Sequence, residues 1–191
     1  LKNIEKMLRE SGYSMQDEDL KKLMDTVRRL SDIEEIRSLR DRYHHFVNEG
    51  QFDRFRELYT ADASMHFPGP YCWTGIDEIL QGLEALSTSI PFMKQFVHNH
   101  HIVVDGDAAK SVAYLEAKYA RQGESVMVAG RYDDEFTRTE DGWRIKRTTV
   151  TLFFSVPFQQ GWADTEVQAF DMRGTVVDGA AAAEKRGWQQ Q

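Results

Sequence analysis

Six histidines, His44, His45, His66, His98, His100 and His101, supply most of the acid–base potential of this chain. Most fall in two tight groups, His44-His45 and His98-Asn99-His100-His101. On an extended strand His98 and His100 share one face while His101 points to the other. Phe96, Ile102 and Val104 are expected to continue the face of His98 and surround it with apolar atoms. A neutral imidazole in such surroundings is near the pKa suited to taking a proton from carbon or oxygen at neutral pH. The plain alternative is a hydrogen-bonded core histidine. A three-histidine metal site would need His44 or His45 to reach that strand, and no carboxylate stands at a recognisable ligand spacing, so no metal is expected.

Other chemistries lack their motifs. The chain has no glycine-rich phosphate loop, no G-x-S-x-G elbow and no H-E-x-x-H helix. Its single cysteine, Cys72, has aromatic neighbours and no charged activator, and reads as a buried, inert thiol. One cysteine excludes an internal disulfide framework and fits a reducing cytoplasm. With 24 Lys+Arg against 31 Asp+Glu the net charge is −7, the wrong sign for a general nucleic-acid binder. No apolar run approaches the roughly 20 residues of a membrane span. Eleven Phe, seven Tyr and four Trp supply surface for a core, and also for the walls of a pocket that takes a flat apolar ligand.

The elements that must position these groups follow from periodicity. Leu20, Leu23, Met24 and Val27 repeat at helical spacing, and Ser31 stands three residues before Glu34, a capping-box spacing that predicts a restart or bend. From Asp32 the stripe Ile33, Ile36, Leu39, Tyr43 and Phe46/Val47 predicts a second helix ending at Gly50. A short third helix over 51–59, a strand over 63–67 and a helix over 75–86 follow. Four long strands are predicted over 95–104, 109–121, 125–139 and 143–156, with tight turns at Asp105-Gly106, Gln122-Gly123 and Asp141-Gly142. Helices first and a strand meander afterwards predict an α+β fold with helices on one face of a curved antiparallel sheet. Three parts are expected: an N-terminal helical extension over 1–30, the main domain over 31–158 and a C-terminal arm over 159–191.

The run Asp32-Ile-Glu-Glu-Ile-Arg-Ser-Leu-Arg-Asp-Arg-Tyr43, then Asn48-Glu-Gly-Gln-Phe-Asp53 and Leu58-Tyr-Thr-Ala-Asp-Ala63, resembles the SnoaL-like branch of the NTF2-like superfamily. So do Val103-Val-Asp-Gly-Asp107, Gly130-Arg-Tyr-Asp-Asp-Glu135 and Asp141-Gly-Trp-Arg-Ile145. The resemblance implies a cone, in which a curved sheet wraps around helices and leaves a pocket in its mouth. It also implies chemistry without a cofactor, although the superfamily holds dehydratases, a dehydrochlorinase, polyketide cyclases, formaldehyde-releasing lyases and non-catalytic dioxygenase small subunits. Fold alone therefore does not name the reaction.

Carried over residue by residue, the resemblance implies that His98 is the general base and that Tyr43 assists a departing or developing oxygen. Asn48 stands where the dehydratase-like members have an aspartate, and an amide there can orient the histidine without raising its basicity. The other helper positions fall near Ala117 and near Thr148 or Leu152, so the charged helpers are missing, and Asp41, Asp134, Arg131, His100 and Tyr114 are the candidate substitutes. Phe67, Trp73, Phe92, Phe96, Met127, Arg131, Phe153 and Phe154 are expected substrate contacts. The expectation is a cofactor-independent lyase, of dehydratase or retro-aldol type, acting on an apolar aromatic or polycyclic small molecule. The alternatives are a non-catalytic ligand-binding or accessory subunit, or an isomerase or cyclase using the same histidine. A cytoplasmic homo-oligomer, dimer or trimer, without nucleic-acid or membrane partners, completes the expectation.

Overall fold

The computed structural model describes residues 6–7, 17–88, 90–162, 169–170 and 176–177. Helix α1 (Asp17–Glu49) is a single rod of 33 residues. The bend expected at Ser31 does not occur. A serine inside a helix costs only about 0.5 kcal/mol relative to alanine, and the next residue is pinned in place by the sheet. Trp143 Nε1 donates to Asp32 Oδ1 at 3.2 Å, and Arg138 Nη2 lies 2.7 Å from Asp32 Oδ2. The apolar stripe nevertheless changes sides. Ile36, Leu39, Tyr43 and Phe46 are buried, whereas Leu23, Val27 and Leu30 are exposed. At about 100° per residue those three lie roughly opposite Ile36.

Gly50 ends α1 with φ +67°, a conformation that favours glycine, and Gln51 N–H donates back to the Phe46 carbonyl at 2.8 Å. A 3-10 helix (Phe52–Glu57) follows, then strand β1 (Tyr59–His66) and the short strand β2 (Cys72–Thr74), which the sequence reading did not anticipate. Cys72 is exposed there, not buried as expected, because β2 is the outermost strand of the sheet. Helix α2 (Ile76–Thr88) leads into the meander of β3 (Phe92–Asp105), β4 (Ala108–Arg121), β5 (Glu124–Thr139) and β6 (Gly142–Pro157). The two-residue strands β7 (Ala169–Phe170) and β8 (Val176–Val177) pair with each other. Of the expected C-terminal arm, residues 159–162 are described as well, and 163–168, 171–175 and 178–191 lie outside the described residues.

Six strands form one curved, open sheet in the order β2-β1-β6-β5-β4-β3. The fold is α+β with helices on one face of a curved sheet, as expected, but the sheet is not wholly antiparallel. Strand β1 pairs with β6 in parallel, Met65 opposite Thr148. A parallel pair requires a long crossover, and α2 with the whole meander supplies one. Through most of their length β4 and β5 alternate between buried positions and half-buried or exposed ones, so one face of the sheet covers the helices and the other does not. Trp143, Tyr132, Phe136 and Ile145 pack from that inner face against Ile36, Tyr43, Phe46 and Phe55. Each such side chain contributes about 1.5–3 kcal/mol by leaving water.

Strand β3 departs from alternation once. Asn99 has φ +44°, and the pairing with β4 slips between His98, opposite Tyr114, and His101, opposite Val112. This is a β-bulge, and one extra residue exchanges the faces of everything beyond it.

Candidate functional site

The bulge decides which histidine meets the helices. Before it, Met93, Gln95 and Val97 are the more buried residues of β3; beyond it, His100, Ile102 and Val104 are. His98 therefore faces outward together with Phe96 and His101, and it does not share a face with His100. The expectation of apolar surroundings continuing through Ile102 and Val104 is corrected accordingly. The imidazole of His98 is 53% exposed, and its Nε2 lies 3.5 Å from Glu116 Oε2, while Lys118 Nζ pairs with the other carboxylate oxygen, Oε1.

Inside the cone is a cavity of about 210 Å³. Tyr43 and Val47 of α1 line it, with Phe67 after β1, Gln95 of β3, and Ala117, Tyr119 and Arg121 of β4. Among the described residues no histidine, aspartate or glutamate lines it. Of the expected trio only Tyr43 reaches the cavity. Asn48 is engaged elsewhere: its Oδ1 accepts from Gln95 N–H at 2.7 Å, and its Nδ2 donates to the Gln95 carbonyl at 2.8 Å. Those are the two bonds a neighbouring strand would make, so Asn48 closes the free edge of β3 and fixes the direction of Gln95. Both of its side-chain hydrogen bonds go to Gln95 and neither to His98. The Gln95 side chain in turn accepts from Tyr132 Oη at 3.3 Å.

The remaining expected contacts divide between the two faces. Phe67 lines the cone. Trp73 is spent on packing, because its indole lies over Gly82, where even a Cβ would collide at 2.1 Å. Phe92 and Phe96 are exposed, with Lys118 Nζ 5.6 Å from the Phe96 ring centroid. Arg131 bonds Asp133 at 2.9 Å. Met127, Phe153 and Phe154 gather with His98, Tyr114 and Trp162 in a separate cleft of about 340 Å³. Trp162 stacks on Phe154 there at 5.4 Å.

Beneath the cone lies a buried polar network in which the sequence reading named Asp134 and His100 as substitute helpers but missed the cation that anchors it, Arg40. Arg40 grips Asp134 with both Nε, at 3.1 Å, and Nη2, and Thr148 Oγ1 donates to Asp134 Oδ1 at 2.8 Å. Burial is the strongest influence on Arg40 and works against its charge, but Asp134 first and then Tyr59, Tyr132 and Tyr43 together outweigh it and hold the guanidinium above its ordinary pKa. That cation lies 4.6 Å from the Tyr43 ring centroid and 4.2 Å from that of Tyr132. Burial pushes the Tyr43 hydroxyl above its usual range, with Arg40 pulling in the opposite direction. Tyr43 is therefore a neutral hydroxyl at neutral pH.

Two histidines complete the network. His44 Nδ1 lies 2.8 Å from the Arg40 carbonyl, which can only accept, so the proton is on Nδ1. Its Nε2 is then a lone pair, buried and unpartnered. His100 Nε2 meets Ser111 Oγ at 2.9 Å, and its Nδ1 is buried without a partner. Burial, then the charge of Arg40, lowers His44 to about 3 and His100 to about 4. Neither lines the cone cavity. Among the described residues no three His, Cys, Asp or Glu side chains gather where they could hold a metal. No described helix is long and apolar enough to cross a membrane.

Part of this was legible. Arg40 falls on the stripe of Ile36 and Tyr43, an unusual place for a charge that does not have a buried partner. The bulge also left a trace. The apolar inward residues Met93 and Val97 are odd-numbered, whereas Ile102 and Val104 are even-numbered, and Asn99 between them readily takes positive φ.

The SnoaL-like domain profile matches residues 28–149. The chain belongs to the SnoaL-like domain family. Within it, the uncharacterized protein Rv2910c of Mycobacterium tuberculosis is 32% identical over 142 residues, which are 71% of this chain and 95% of that protein. An NTF2-like protein with a cystatin-like fold from Novosphingobium aromaticivorans is 26% identical, covers 73% of this chain and 92% of its own, and superposes with a TM-score of 0.61. Two further solved structures share the fold of this SnoaL-like domain. A candidate scytalone dehydratase from Novosphingobium aromaticivorans is 18% identical with a TM-score of 0.64, covering 70% of this chain and 91% of its own. A hexachlorocyclohexane dehydrochlorinase, LinA type 2, is 16% identical with a TM-score of 0.62, covering 71% and 92%.

Proposed function

We propose that this SnoaL-like domain is a cofactor-independent lyase-type enzyme that takes a small, mostly apolar molecule into the cone and works on it through Tyr43. The observation that carries the reading is the position of Tyr43, a neutral hydroxyl on the cavity wall with a cation against its ring. The names of two structural neighbours, a dehydratase and a dehydrochlorinase, describe eliminations and support the same class. Tyr43 donates its proton to a departing hydroxyl as the C–O bond breaks. The phenolate left behind takes the proton from the adjacent carbon, a C=C bond forms, water leaves and the tyrosine is restored. Arg40 steadies the transient phenolate, and the Gln95 amide orients an oxygen of the substrate. A proton donor placed in this way is worth roughly 10²–10⁴ in rate. His98 has no part in this scheme, because its imidazole opens to the other side of the sheet.

A second reading, a binding module without turnover, is favoured by one observation: the described lining holds no histidine or carboxylate. Aryl β-hydroxy ketones, beginning with 4-hydroxy-4-phenylbutan-2-one, separate the two readings through the ultraviolet absorbance of the enone they form. Enone formation by the native chain, lost in Tyr43→Phe while binding persists, supports the lyase. Binding across the panel without turnover in either protein supports the module. Turnover that survives Tyr43→Phe but disappears in His98→Ala would overturn the scheme.

A further inference from the structure

The cone carries a charge that the proposed chemistry does not use. Arg121 lies at the end of β4 and lines the cavity. It is the only ionic side chain among the described lining residues. Its register partner across the hairpin is Glu124, yet Arg121 makes no ion pair with Glu124 or any other described residue. Nearby, Tyr119 Oη and Ser155 Oγ lie 3.2 Å apart and also border the cavity.

The inner face of β4 sets the order of these groups. Leu115, Ala117, Tyr119 and Arg121 are alternate residues lining one cavity. Six residues of strand span about 20 Å, so Leu115 and Arg121 mark two separated ends of it. Gln95, Ala117 and Val128 lie level across β3, β4 and β5, Leu115 and Leu152 give an apolar wall on one side of that level, and Arg121 stands four residues along β4 on the other, about 13 Å away. A guanidinium presents a planar fork that matches a carboxylate in two bonds. In a chain of net charge −7, a cation without an ion pair among the described residues also provides a local exception to the general repulsion of anions.

We infer that the ligand of the cone is a carboxylic acid: an elongated, mostly apolar molecule whose carboxylate is received by Arg121 while its body fills the cavity. This rests on the reading of the cone as the ligand site, and it adds the chemical class of the ligand's far end.

Isothermal titration with 4-phenylbutanoate and its neutral counterpart 4-phenylbutanamide tests the inference, with 3-phenylpropanoate and 5-phenylpentanoate varying the length. The native chain should bind the best-fitting acid roughly tenfold tighter than the matching amide at low salt, the scale of one charge-assisted contact. The preference should shrink in high salt, vanish in Arg121→Ala and persist in part in Arg121→Lys. Ala117→Phe, which fills the middle of the cone, should abolish binding of acid and amide together. Equal binding of acid and amide by the native chain would overturn the carboxylate inference and leave the cone reading standing. Binding that survives Ala117→Phe, or no binding of any probe, would overturn the cone reading beneath it.

Discussion

The inner cavity and the outer cleft lie on opposite faces of the same sheet, and they differ in what holds their polar groups. Inside, Tyr43 rests against Arg40, Arg40 is gripped by Asp134, and Gln95 is aligned by Asn48 and Tyr132. Each group is fixed by a partner that is itself buried or part-buried. Outside, His98 and Glu116 approach within 3.5 Å among aromatic rings, but Lys118 shares the carboxylate and water reaches the imidazole. A list of residue types would rank the outer cleft higher, since it holds a histidine, a carboxylate and several aromatics. Pre-organisation ranks the inner cavity higher, because a reacting group is useful only when its direction is fixed.

The contrast is open to direct attack, and the largest effect belongs to the inner network. Asp134→Ala strands a fully buried Arg40, and urea denaturation should register a loss of about 3–5 kcal/mol. A loss below 1 kcal/mol would mean that the pair is not the anchor described here. Next is Tyr43→Phe, expected to lower turnover of a working substrate by roughly a hundredfold or more while the urea midpoint shifts little.

Acid provides the third test. His44 and His100 have folded pKa values below the ordinary 6.5, near 3 and near 4. Protonation therefore favours the unfolded chain. Their contribution is fully present above pH 6.5 and is lost as pH falls from there toward those folded values. Between pH 6.5 and 5, before most carboxylates titrate, His44 alone can steepen the decline by up to about 1.4 kcal/mol per pH unit; the partly solvated His100 adds less. Urea melts at half-unit intervals should lose part of that slope in His44→Gln, and an unchanged slope would remove His44 as its source.

Asn48→Ala removes both bonds to Gln95 and should cost about 1–2 kcal/mol, with faster amide hydrogen exchange at Gln95. Asn48→Asp should fare no better, because a carboxylate accepts from Gln95 N–H but faces its carbonyl without a proton to give. The smallest effect is assigned to His98→Ala, expected within about 0.5 kcal/mol of the native stability and with turnover unchanged. A large loss of turnover there would reverse the ranking of the two faces.

How much was legible divides along the same line. The helical stripe of Ile36, Leu39, Tyr43 and Phe46, its stop at Gly50, and the four-strand meander with its turns follow from local periodicity and turn chemistry, and the structure contains them. The continuous helix through Ser31 and the parallel pairing of β1 with β6 do not follow. Both depend on residues more than a hundred positions apart in one case and some eighty in the other, as Asp32 with Trp143 and Met65 with Thr148 illustrate.

The amino-acid order by itself determined that this is an α+β chain with a SnoaL-like pattern, and it placed Tyr43 on a buried stripe. Strand parity could nominate a histidine but not assign it, since one extra residue at Asn99 exchanges the two faces of β3 and turns His98 outward. Only the tertiary structure decided that Gln95 and Arg121 meet Tyr43 in one cavity, and that Arg40 and Asp134 form its support. Those residues come from α1 and three different strands. Their meeting depends on the curvature and register of the whole sheet, which no local spacing encodes.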